Sequence, residues 1–207
     1  MKHPMYYAMN ILLHPIDTIN ELCAYRKKAI SYSCSFLVLA LWIIVTILKF
    51  EWTGFLYNPD YFIGVSIYNV LVQTVVVFIL WVGVNWALCA IVYGDATFKE
   101  IWVISSYALI PYIVLTFFNI LCSNVLIQGE VFFMTWIRVI ALGWSISVLT
   151  YGLKIFHNYS LGTTIKSMLL TIVGMFIVVF LGILAFSLVQ QIYFTVKTIF
   201  FEIILRV

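Results

Sequence analysis

The sequence predicts an all-α polytopic membrane helix bundle, with five transmembrane helices preceded by a short N-terminal interfacial helix. Three observations carry this. Of 207 residues, 65% are hydrophobic and 9% charged, where soluble domains hold about 25% charged and 45–50% apolar residues. The mean hydropathy is +1.12. The apolar residues gather into runs of about 20, the length that crosses a hydrocarbon core of roughly 30 Å. These runs are continuously apolar, not alternating as barrel strands would be. Only a helix satisfies its backbone within one segment in lipid.

The elements follow in chain order. Pro15 opens a helix with Asp17 and Glu21 in its early turns, and Ile16, Ile19 and Cys23 recur at helical spacing. Residues 15–28 therefore read as a helix lying on the inner membrane surface. Span one runs from Ala29 to Lys49, and span two from Tyr68 to Tyr93. Gly94-Asp95-Ala96 ends it, and Thr97 with Glu100 forms a capping-box pattern ahead of span three, Ile101 to Cys122. Span four runs from Ile137 to Phe156, and span five from Ser167 to Gln190. The chain divides into a cytoplasmic segment, 1–28, a five-helix domain, 29–194, and a tail, 195–207, that extends span five or lies on the outer surface. No cleavable signal peptide is expected, because the first spanning run lacks a small-residue cleavage site.

Lys and Arg set the orientation. With the N-terminus inside, the cytoplasmic segments hold Lys2, Arg26, Lys27, Lys28, Lys99, Lys154 and Lys166, and the outer ones hold Lys49, Lys197 and Arg206. The C-terminus then lies outside, in a cell membrane. The sequon Asn158-Tyr159-Ser160 falls in the cytoplasm and reads as silent. Ala96-Thr97-Phe98-Lys99 and Thr163-Thr164-Ile165-Lys166 form a faint internal echo of two related hairpins.

Polar groups within spans are costly and draw attention to function. Asn85 sits near the middle of span two, as interhelical glue or as a solute contact. Asn69, Gln73 and Asn119 lie near the outer ends. Ser106 precedes Pro111 in span three, where the proline kinks the helix and lines either a structural bend or a cavity. Arg138 snorkels to the outer surface, pairs with Asp60 or Glu130, or contacts an anion. Gly83 with Ala87, Gly143 with Ser147, and Gly174 with Gly182 read as small-residue seams, between spans or between copies.

Catalytic, cofactor and metal sites are not expected. HExxH and GxSxG are absent, as is a P-loop. His3, His14 and His157 fall outside the predicted spans, and Cys23, Cys34, Cys89 and Cys122 show no CxxC pair. The net charge of +3 does not suggest nucleic acid.

Four stretches carry a family resemblance: Ile11-Leu12-Leu13-His14-Pro15 with Thr18; Thr97-Phe98-Lys99-Glu100-Ile101-Trp102; Tyr107-Ala108-Leu109-Ile110-Pro111-Tyr112; and His157-Asn158-Tyr159-Ser160. With its span count, the chain resembles the Ypt-interacting-protein (Yip) family, and most the bacterial branch, which lacks a long polar N-terminal region. The acidic first-span motif Asp-Leu-Tyr-Gly-Pro of eukaryotic members is missing, which separates the chain from their GTPase-linked traffic role. The resemblance implies five spans, an inside N-terminus and no established enzymatic activity. The expected partners are the bilayer and another membrane protein or a second copy. The expected role is a non-enzymatic membrane partner or scaffold, accessory to transport or trafficking. The alternative is a small-solute or ion pathway through Asn85 and the Pro111 kink.

Overall fold

The computed structural model describes residues 4–26, 31–55, 57–58 and 66–205. Its elements are α1 (Pro4–Asn10), α2 (Pro15–Ala24), α3 (Tyr32–Glu51), α4 (Ile67–Val92), α5 (Phe98–Ala108), α6 (Ile110–Ser123), α7 (Val131–His157) and α8 (Leu161–Leu205), with a 3-10 turn at Gln128–Glu130. Five spans result: α3, α4, α5 with α6, α7 and α8. The all-α membrane bundle is thus the observed fold. Asp60, Arg206 and the Lys27-Lys28 pair lie outside the described residues.

The broken third span is the core. Half of its most apolar stretch is buried, against 28% or less in every other span. Residues 103–108 of α5 are all buried. Its start is set as the sequence indicates: Thr97 Oγ1 accepts from Glu100 N at 3.4 Å, and Glu100 Oε2 accepts from Thr97 N at 2.7 Å. The break falls at Leu109, two residues before Pro111, because proline cannot continue the preceding hydrogen-bond ladder.

The N-terminal helices pack against the bundle. α2 does not simply rest on lipid. It buries Thr18, Ile19 and Leu22 against the bundle, and Tyr7 and Ile11 from the α1 side join the same core. The Tyr151 hydroxyl of α7 reaches Asn20 Oδ1 at 3.3 Å, and Arg26 approaches Glu100 at 3.7 Å. We call the end carrying α1 and α2 the near end, and the end carrying Glu51 and Ser123 the far end.

The last span runs on through the tail. No Gly-Pro pair or charge cluster interrupts it, so span five and the tail are one 45-residue helix. At 1.5 Å per residue it measures about 67 Å, roughly twice a hydrocarbon core. Only its first turns pack on the bundle, through Thr164, Ser167 and Thr171. Its most apolar stretch is wholly unburied.

Candidate functional site

Intramembrane polar groups are concentrated where helices cross. Asn85 is 2% exposed on α4, and its Nδ2 donates to Thr171 Oγ1 of α8 at 3.1 Å. Thr171 in turn donates to Ser167 O at 2.8 Å. Asn85 Oδ1 accepts no hydrogen bond among the described residues. Gly174 sits one turn farther along α8, where a Cβ would stand 2.6 Å from Val84 Cγ1. Asn85 and Gly174 therefore belong to one tight α4–α8 crossing, with the amide as glue.

Ser106 is fully buried and serves a second crossing. Ser35 of α3 donates to its Oγ at 2.7 Å, while Ser106 donates to Trp102 O at 2.8 Å. Pro111 is buried beside the helix break. There Ser145 Oγ of α7 donates to the carbonyl of Ala108 at 2.5 Å. A freed backbone group in a membrane needs such a neighbour, and serine supplies it. Asn85 is closed by the α4–α8 contact, whereas the Pro111 kink borders a groove of about 290 Å³ through Leu109, Tyr112 and Ser145.

The small-residue seams need correction. Beside Gly83, Gly143 and Gly182 an added Cβ would meet nothing within 4 Å. Ala87 and Ser147 are exposed, and Ser147 bonds only to Gly143 O of its own helix at 2.7 Å. These residues face out of the bundle. The contact on α7 is instead made by Gly152, where a Cβ would lie 2.3 Å from Ile104 Cγ1 of α5. Ala141, Ser145, Val148 and Gly152 fall at i, i+4, i+7 and i+11 on one helical face, but the spacing does not say that this face is the inner one.

A cluster at the near end escapes sequence reading entirely. His157, the last residue of α7, is 3% exposed. Its Nδ1 lies 3.4 Å from Cys89 Sγ, and its ring stacks on Tyr159 at 4.9 Å and 7°. A Cβ on Gly94 would stand 2.4 Å from both His157 Nδ1 and the Tyr159 oxygen. Tyr93 and Asn158 end their helices with φ of 56°, and Asn158 donates to Asp95 at 2.9 Å. Burial pushes the Tyr159 hydroxyl above its ordinary pKa, with Cys89 and Asp95 adding to the shift. The two loops interlock so closely that the pair reads as a packed joint. Among the described residues, no three His, Cys, Asp or Glu side chains could hold one metal ion.

Arg138 is exposed on α7 at the far end. It makes no ion pair among the described residues, and Glu130 instead accepts from Ile127 N at 3.2 Å. Arg138 shares a hollow with Lys49 of α3 and Asn119 of α6.

The Yip1 domain profile matches residues 9–184, most of the chain. The chain belongs to the Yip1 family. The match takes in α2 through the first part of α8 and stops at residue 184, so the last stretch of the long helix lies beyond it. Within this Yip1 domain lie all four stretches that carried the resemblance. No curated protein and no solved structure matches the chain.

Proposed function

We propose that this Yip1-family protein is a non-enzymatic membrane partner or scaffold, which works by helix association with another membrane protein or a second copy. It is read as a bacterial-branch member on the resemblance given above, and the missing acidic first-span motif counts against a GTPase-linked role. Its setting is a cell membrane, with the near end and N-terminus cytoplasmic, in keeping with the Lys and Arg distribution. One observation carries the reading: α8 is an apolar helix of 45 residues that leaves the bundle after its first turns.

Lipid alone covers about the first half of that free length. Beyond it, Gln191, Thr195, Thr198 and Glu202 fall at i, i+4, i+7 and i+11, a polar stripe opposite Val189, Tyr193 and Phe200. This is the pattern of a helix that lays one face on a neighbour. The outward Gly83–Ala87 and Gly143–Ser147 pairs add small-residue faces on which another helix can approach closely. The closed setting of Asn85 in the α4–α8 crossing favours this reading over a solute pathway through that amide.

The test is affinity purification of the full chain from membranes in mild detergent, with and without residues 186–207. The expected result is a stoichiometric partner or a dimer that the shortened chain loses. Recovery of the full chain as a lone monomer would overturn the reading.

A further inference from the structure

Lys49 and Arg138 come from different helices and line one hollow of about 100 Å³ at the far end, between α3, α6 and α7. Tyr112, Thr116, Asn119 and Thr53 complete its polar wall. Among the described residues no carboxylate lines it; Glu51 opens instead onto the neighbouring hollow beyond Thr53. Among the described residues Lys49 makes no ion pair, and its ammonium lies over the Phe50 ring, 5.9 Å from the ring centre. Among the described residues the Tyr112 and Thr116 hydroxyls have no hydrogen-bond partner, whereas Thr53 and Asn119 donate to the carbonyls of Lys49 and Met134. Two cations without an ion pair among the described residues, and two such free hydroxyls, line a space worth about three waters. That donor set matches a phosphate-like anion.

The hollow is not isolated. Tyr112 and Leu142 also line a groove of about 290 Å³ that runs inward past Thr46 and Ser145 to Trp42 and Thr74. Trp42 and Thr74 in turn line an almost wholly apolar groove of about 360 Å³ between α3 and α4, reaching Phe36 and Trp102. On α3 this path descends from Lys49 through Trp42 to Phe36, more than three helical turns. A polar, cationic head and a long apolar trough in line have the shape of one molecule with an anionic head and an acyl tail.

We propose that the α3–α6–α7 hollow, together with its grooves, is a binding site for an anionic phospholipid. Lys49 and Arg138 hold the phosphate, Tyr112 and Thr116 donate to its oxygens, and the trough beneath Tyr112 takes an acyl chain. The site is built by one copy and does not depend on the partner reading above.

The test uses the purified full chain in detergent and three probes: short-chain phosphatidylglycerol, short-chain phosphatidylcholine and inorganic phosphate, with binding followed by ligand-induced thermal shift. Phosphatidylglycerol is expected to bind most tightly. Lys49→Gln with Arg138→Gln should weaken it about tenfold or more, and the charge-keeping pair Lys49→Arg with Arg138→Lys should retain most of the affinity. Thr74→Phe, which fills the trough, should weaken the lipid and leave phosphate untouched. Phosphate binding as tightly as the lipid would reduce the site to one for a free anion and overturn the lipid assignment. Lipid binding that ignores the double glutamine variant, or no binding at all, would overturn the site itself.

Discussion

At the residue scale, two glycines on α7 separate a contact from a coincidence. Gly152 faces Ile104 so closely that a methyl group has no room, whereas Gly143 faces open space. Gly152→Ala should destabilise the bundle by about 1–3 kcal/mol through overpacking. Gly143→Ala should stay within about 0.5 kcal/mol. Unfolding in a fixed detergent mixture, compared with the parent chain, checks both, and equal effects would contradict the packing described. Both residues look alike in sequence, since each is a glycine in an apolar run. What separates them is phase on the helix, and that is legible only once the partner face is known. Asn85 was legible as a buried amide because a span gives it no water. That Thr171 answers it was not, because the two are 86 positions apart.

At the element scale, the break in the third span shows how a proline is accommodated in lipid. Pro111 ends the ladder at Leu109, and the Ala108 carbonyl turns to Ser145 on α7. Removing that hydroxyl leaves a carbonyl short of a partner where water is scarce. Ser145→Ala should therefore cost about 0.6–1.7 kcal/mol, the range of interhelical hydrogen bonds in membranes. Ser147→Ala, two residues away, should cost almost nothing, because its hydroxyl bonds only within its own helix. Equilibrium unfolding of the two variants side by side is the measurement, and a larger loss for Ser147→Ala would refute the account. The capping box at Thr97 and Glu100 and the kink at Pro111 were readable from local chemistry. The burial of α2 was not: its apolar spacing fits a membrane surface as well as a bundle, and the periodicity does not name what lies opposite.

At the scale of the whole molecule, α8 is anchored at one end only. Its packed residues, Thr164, Ser167, Thr171 and Gly174, all precede its midpoint. Removing residues 186–207 should leave the unfolding free energy within about 0.5 kcal/mol of the parent value, since no core contact goes with them. A clear loss in a detergent unfolding experiment that does not change with protein concentration would mean that the free length packs on its own bundle. The sequence by itself determined the solvent and the span count. Burying continuous apolar runs in lipid needs no knowledge of neighbours, and a backbone in lipid has few alternatives to a helix. Only the tertiary structure decided which span forms the core, which small residues touch, and that Lys49 and Arg138 share one hollow. Every span here is apolar nearly all round, so hydropathy carries no direction. Without the contrast between a wet face and a dry one, only the packed helices reveal which side each residue faces.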